Sequence, residues 1–255
     1  MNHFPYLGSH LSSSVDIDDE IQYRLKCAAT AYGRLRKRVF QDHDIRIATK
    51  VLVYKAIVIT TLLYASETWT TYRRHLKTLE KFHQRCLRNI MNVSWEDRRT
   101  NVSVLEEAQL TSIEALIIRN QLRWSGHVVR MSEDRLPKQI FYSELKEGSR
   151  KRGGQKKRYK DTLKASLKNC NININSWEDD AKDRDLWRAM ADEGTASFET
   201  NRRANLEQKR LLRKEKEQQP RSSDLPSGTT CPHCHRTFKA RIGLISHLRV
   251  HKQSN

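Results

Sequence analysis

Several features are missing from this chain, and each absence removes a class of function. No apolar run is long enough to cross a bilayer as a helix, which takes about 20 residues. The most apolar stretch, VLVYKAIVITTLLYA (51–65), falls short and carries Lys55 inside it. It reads as a buried core helix. No signal-peptide pattern is seen, and the five cysteines are too few and too scattered for a disulfide framework. Cys27, Cys86 and Cys170 stand as singles on expected helices, which fits a reducing compartment. A nuclear or cytoplasmic location is therefore expected. The sequence also has no Walker-type loop, no G-x-S-x-G and no H-E-x-x-H, and no internal repeat.

Acidic residues are in short supply. Asp and Glu number 30 against 48 Lys and Arg, a formal charge of +18. Such an excess points first to phosphate-bearing partners. An acidic membrane surface would ask for a basic amphipathic helix with a strong apolar face. Charge alone does not separate the two, but RNA or DNA backbone is the expected partner and a membrane is not.

What is present is clearest near the end of the chain. CPHCHRTFKARIGLISHLRVH (231–251) holds Cys231-x2-Cys234-x12-His247-x3-His251. Zinc is a borderline-soft ion that takes thiolate and imidazole in a tetrahedron. A Cys-x2-Cys turn brings two thiolates to one ion, and histidines four apart share a helix face. Phe238 and Leu244 supply the little apolar core such a unit needs, and the metal supplies most of the folding energy, roughly 10–16 kcal/mol in isolated fingers. The expected metal site is Cys231, Cys234, His247 and His251, with zinc as cofactor and a ββα fold. His233 and His235 lie beside the thiolates and read as solvated. Bases are usually read from helix positions −1, 3 and 6. Here those are Ala240, Gly243 and Ser246, none of which has a long donor side chain. Arg236, Lys239, Arg241, Arg249 and Lys252 are left to touch phosphate.

Upstream, the periodicities read as helices. Ile21, Leu25, Ala28, Tyr32, Leu35 and Val39 recur at helical spacing after the acidic opening DIDDE (16–20). A second helix covers 46–66. A third follows Thr70-Thr71, with Leu76, Leu79, Phe82, Cys86 and Ile90 on one face. Its other face carries Arg73, Arg74, Lys77, Lys81, Arg85 and Arg88, either a solvated face or a nucleic-acid face. A short helix is expected near 102–109. The capping-box pattern Thr111-x-x-Glu114 opens a helix over 112–131, and Pro137 suits the first turn of another over 137–146. KEGSRKRGGQKKRYK (146–160) then puts eight bases and one acid around a Gly-Gly pair. It reads as a phosphate-contacting loop using Arg150, Lys151, Arg152, Lys156, Lys157 and Arg158, against the alternative of a linker. Helices near 159–169 and 176–190 follow, anchored by Trp177 and Trp187. A polar helical arm (197–219) and a flexible linker (220–229) lead to the finger (230–255). The fold class is mainly α, with a ββα finger at the end.

Catalytic candidates are weak. A metal-dependent polymerase needs paired aspartates at a tight turn between strands. Asp18-Asp19 and Asp179-Asp180 both sit in expected first turns of helices, where acids suit the dipole. His75 and His83 lie eight apart on one basic helix and are expected to lack a carboxylate partner.

FPYLGSHLSSS, AYGRLRKRVF, KVLVYKAIVITTLLYASETWT, LEKFHQRCLRNIM, RNQLRWSGHVVRM, RLPKQIFYSEL and SRKRGGQKKRYKDTLK occur in that order. Together they resemble the region after the palm in a non-LTR (LINE-type) retrotransposon reverse transcriptase, over nearly the whole chain. The resemblance implies a primer-grip-like stub (1–15), a thumb-like helical domain (16–97) and a carboxy-terminal helical region (98–196) that handles template RNA and target DNA. The palm aspartates, the fingers and the endonuclease would lie upstream of Met1. The expectation is therefore a non-catalytic, nucleic-acid-binding remnant rather than an enzyme. A thumb without its palm is also expected to self-associate through exposed apolar helix faces. The competing readings are a domesticated zinc-finger regulator of specific DNA or a protein, one chain of a split polymerase, and a decayed reading frame.

Overall fold

A computed structural model of the protein describes residues 3–6, 8–12, 17–143, 157–218, 229–238 and 241–252. The chain is mainly α-helical, as the periodicities require. It divides into two compact units, Met1–Ala204 and Asn205–Asn255.

The first unit opens on a hairpin. Strand β1 (His3–Tyr6) pairs antiparallel with β2 (Ser9–Ser12). Gly8 takes a left-handed φ of +84°, which a residue without Cβ adopts readily. Helix α1 (Asp18–Leu35) starts on three acids and runs into a π-helical turn, Arg36–Phe40, that ends on buried Phe40. The apolar run forms one continuous helical stretch. It comprises α2 (Ile47–Val53), π-helical turns over Tyr54–Ile59, and α3 (Thr60–Leu62). The hydroxyls of Thr60 and Thr61 donate back to the carbonyls of Ala56 and Ile57, at 2.6 and 2.7 Å. Such back-bonding competes with the backbone ladder and accompanies local distortion.

Helix α4 (Arg73–Ile90) buries the stripe Leu79, Phe82, Cys86 and Ile90. Thr100 caps α5 (Asn101–Glu107) through its side-chain oxygen. Helix α6 (Ile113–Val129) begins one residue later than the Thr111-x-x-Glu114 pattern suggests. Ser112 is the cap, accepting from the Ala115 N–H at 3.3 Å. Glu80 of α4 accepts from the Ile113 N–H at 3.0 Å and satisfies a second free N–H of that first turn. Glu114 instead pairs with Arg73 at 3.0 Å. A tertiary partner has replaced the local one. Then come α7 (Leu136–Tyr142), with Pro137 in its first turn, α8 (Tyr159–Asn169) and the single turn α9 (Trp177–Asp180).

One boundary differs from expectation. Instead of a helix ending near 190 and an arm starting at 197, α10 runs unbroken over Arg184–Gln218. Gly194 does not stop it. A Cβ there would meet the Cys170 Cβ and carbonyl oxygen at 2.8 Å, so glycine lets α10 pass close to the end of α8. Thr195 and Glu199 are buried, so helix–core packing continues past 197.

Two apolar clusters fill this unit. The first joins α1 to the front of α6 and includes Ile21, Phe40, Tyr54, Leu62, Leu87 and Ile113. It also takes in Val104 and Leu105, so it extends past residue 97. The second joins the rest of α6 to α7–α10, with Leu122, Phe141, Leu167, Trp177 and Trp187. Gln121 lies beside both, 1% exposed. It donates to the Trp69 carbonyl at 2.8 Å and accepts from Ser166 Oγ at 3.0 Å. Its amide is satisfied at both ends, as a buried polar group must be.

The second unit holds the remainder of α10, then β3 (Thr229–Thr230) paired antiparallel with β4 (Thr237–Phe238), then α11 (Arg241–Lys252). No helix among the described residues is long and apolar enough to cross a membrane.

Candidate metal centre

The β3–β4 turn and α11 bring the four expected ligands together. Cys231 is fully buried beneath the turn, and its N–H donates to the Arg236 carbonyl at 2.9 Å. The Cys231 carbonyl accepts the His235 N–H at 2.9 Å, closing a tight loop in which His235 takes φ +56°. On α11, His247 and His251 lie one turn apart. Cys234 Sγ is 3.0 Å from His247 Nε2, and His251 Nε2 is 3.0 Å from the same nitrogen. All four donor atoms lie within 4.8 Å of one another. Zinc bonds of about 2.0–2.3 Å put tetrahedral donors roughly 3.3–3.8 Å apart. Two imidazole nitrogens and two sulfurs turned to one point satisfy each other poorly without a shared cation. The group can hold a metal ion.

The local electrostatics favour the metal-binding forms. Burial pushes the Cys231 thiol up, but the N–H groups of Cys234 and His233 outweigh it, and the thiol sits below its ordinary value. Burial and the charges of His251 and Arg236 push His247 down. A thiolate and a neutral imidazole are the forms that bind metal. Behind them, the Phe238 ring lies 4.8 Å from the His247 ring, and the Arg236 guanidinium lies 5.8 Å from Phe238. His233 is exposed, with its ring 5.2 Å from that of His251.

The expected phosphate contacts divide differently. Arg241 and Arg249 are exposed on α11, as is Arg236 on the turn. Arg150, Lys151, Arg152, Lys156 and Lys239 lie outside the described residues, as do the Lys252 side chain and linker residues 220–228. Lys157 is docked. Its N–H donates to the Tyr72 hydroxyl at 3.1 Å, and its ammonium lies 5.3 Å from the Tyr72 ring. Arg158 is exposed and its N–H donates to Asp161, which caps α8. The basic stripe of α4 splits in two. Arg74 pairs with Asp18 at 2.6 Å, Arg73 with Glu114, and Arg88 bonds the Arg99 carbonyl at 2.7 Å. Lys77, Lys81 and Arg85 face solvent.

The carboxylate candidates have structural partners. Asp18 bonds both Arg74 and His75, and the Arg74 guanidinium holds its carboxyl below the usual range while burial opposes. His75 therefore does have a carboxylate neighbour. Its Nε2 is 3.0 Å from Asp18 Oδ1, because the start of α1 packs on the start of α4. Asp179 pairs with Lys182 at 2.7 Å, and Asp180 lies 3.4 Å from Ser176 Oγ. Among the described residues no carboxylate bonds His83; its Nδ1 is 2.9 Å from the Tyr54 hydroxyl. Glu199 was not legible as a site residue. It is 4% exposed and gathers Ser112, Arg202 and Arg203, and its only sequence signal is an acid beside two arginines.

No family model matches the chain, and no solved structure matches it. It is similar to an uncharacterized transposon-derived protein of Caenorhabditis elegans, with 23% identity over 206 residues. That alignment covers 77% of this chain and 72% of the relative. The likeness points to a transposon-related origin.

Proposed function

We propose that the chain is a zinc-binding, non-catalytic remnant of a LINE-type retrotransposon reverse transcriptase. It grips RNA or DNA through the phosphate backbone with little sequence preference. The observation that carries the reading is the convergence of Cys231, Cys234, His247 and His251, in a chain whose relative is transposon-derived. Two thiols and two imidazoles form a donor set that suits zinc over calcium or magnesium, which prefer oxygen. Zinc bound there would act structurally, locking the β3–β4 turn onto α11. The exposed bases Arg236, Arg241 and Arg249, with Lys77, Lys81 and Arg85 in the first unit, supply phosphate contacts. Gly243 and Ser246 offer α11 no long side chain for reading base edges, which supports backbone contact over sequence reading. The paired aspartates Asp18-Asp19 and Asp179-Asp180 serve helix starts and ion pairs, which supports a non-catalytic role.

A salt titration tests this. Zinc-loaded protein is titrated with structured RNA, single-stranded DNA and duplex DNA from about 50 to 200 mM salt. The expected log–log slope corresponds to several released counterions and is similar across sequences. Cys231→Ser with Cys234→Ser weakens binding only modestly. Failure to bind any of the three sinks the proposal. So does a preference of about a thousandfold for one duplex, the mark of a specific binder.

A further inference from the structure

A cleft of about 370 Å³ lies in the first unit, between the Tyr54–Leu62 stretch, α4 and α6. Among the described residues no acid lines it, yet Lys55, Arg119 and His83 do. The Arg119 Nε is buried and meets no hydrogen-bond partner among the described residues. Its neighbour Arg123 spends its charge on Asp192 at 2.9 Å, so Arg119 keeps a like charge beside it and gains no carboxylate contact of its own. Burial first, then Arg123, pushes the Arg119 guanidinium down, with Asp192 opposing. His83 is fully buried on the cleft wall. Its Nδ1 lies 2.9 Å from the Tyr54 hydroxyl, and its buried Nε2, near the Thr111 backbone, meets no well-formed hydrogen bond among the described residues. Buried donors without partners are rare, and each one asks for an explanation such as a bound ion or ligand. A planar guanidinium matches an oxyanion edge to edge, and a flexible lysine beside it adds a point charge. The rest of the wall is apolar, formed by Ile59, Leu63 and Leu116 among others. The volume is more than a bare oxyanion fills and lies within the size range of small-molecule sites.

We propose that this cleft binds the phosphate ester of a nucleotide. The phosphate sits on Arg119 and Lys55, and the sugar and base lie against Ile59, Leu63 and Leu116. The site lies wholly within Met1–Ala204 and rests on neither the zinc cluster nor polynucleotide binding.

Isothermal titration of the full zinc-loaded chain tests it, with adenosine 5′-monophosphate, inorganic phosphate and adenosine as probes. Saturable binding is expected in the order monophosphate, phosphate, adenosine. Arg119→Gln removes a charge-assisted contact and weakens monophosphate binding by about tenfold or more; Lys55→Gln, an exposed partner, weakens it less. Arg119→Gln melts no lower than the parent, because the charge it removes is partly buried and uncompensated. Three results overturn the proposal. They are no saturable monophosphate binding up to about 10 mM, equal affinity for adenosine and its monophosphate, and unchanged affinity in Arg119→Gln. Monophosphate binding without polynucleotide binding would sink the function proposed above and leave this site standing.

Discussion

His83 has no contact with solvent, and burial pushes its imidazole from 6.5 down to about 4. In the unfolded chain it takes a proton near pH 6.5, while the folded protein resists until about pH 4. The stability tied to the neutral ring is therefore complete above pH 6.5. It is lost as pH falls toward 4, by about 3 kcal/mol in all. Denaturant unfolding at pH 7, 5.5 and 4.5 measures it. His83→Gln, which can still meet the Tyr54 hydroxyl, is expected to flatten part of that slope; an unchanged slope would place the acid sensitivity elsewhere. None of this was legible beforehand, because His83 reads as one more polar residue on a basic helix. Its burial depends on Tyr54, which is 29 residues away in sequence. The zinc-type ligands are the opposite case. A Cys-x2-Cys turn and a helical His pair each fix their own geometry within four or five residues, so spacing alone places them.

Helix α6 shows how a tertiary contact can reverse a local rule. Glycine inside a helix normally costs about 1 kcal/mol against alanine, so Gly126→Ala would be expected to stabilise. A Cβ on Gly126 would lie 2.2 Å from Cδ1 and Nε1 of the Trp187 indole. That ring is buried and donates to the Leu122 carbonyl at 2.7 Å. Gly126→Ala is therefore expected to destabilise by about 1–3 kcal/mol, read as a lower melting temperature. A rise would mean that α10 shifts without penalty. Helix α10 carries a second case. Glu199 takes the Ser112 hydroxyl at 2.6 Å and Arg203 Nε at 3.0 Å, with Arg202 at 3.4 Å. Glu199→Ala leaves the buried Ser112 hydroxyl without its acceptor, while Arg202 and Arg203 keep Glu80, Glu106 and the Leu110 carbonyl, and is expected to cost about 1–3 kcal/mol, whereas Glu207→Ala, on an exposed ion pair, costs well under 1 kcal/mol. Urea melts of the two variants make the comparison. The helices themselves were readable from apolar spacing because that signal is periodic and local. The continuation of α10 past 190 was not, because FETNRRANLEQK looks polar throughout. Its buried face past that point comprises small Ala191, Gly194 and Thr195, half-buried Phe198 and a carboxylate whose partner lies 87 residues earlier.

At the scale of the whole molecule, the two units draw on different sources of stability. Met1–Ala204 has two apolar clusters with buried Trp, Phe, Leu and Ile side chains, each worth about 1.5–3 kcal/mol on burial. Among the described residues of 229–252, Cys231 alone is fully buried, Phe238, Leu244 and Leu248 are half-buried, and Ile242, Ile245 and Val250 are exposed. So little apolar burial cannot offset the entropy of ordering α11, and a metal held by the four donors would supply the balance. Chelation should therefore unfold 229–252 and leave the first unit's melting unchanged. Hydrogen exchange read by mass spectrometry separates the two. With metal, amides of α11 are protected. After chelation their protection is lost within seconds, while α4 and α6 exchange as before. Cys234→Ser gives the chelated pattern without chelator, because one thiolate and two imidazoles leave the tetrahedron open. Protection of α11 that survives chelation would mean that the finger carries a core of its own. Loss of protection in α4 or α6 would mean that the metal's free energy is shared with the first unit.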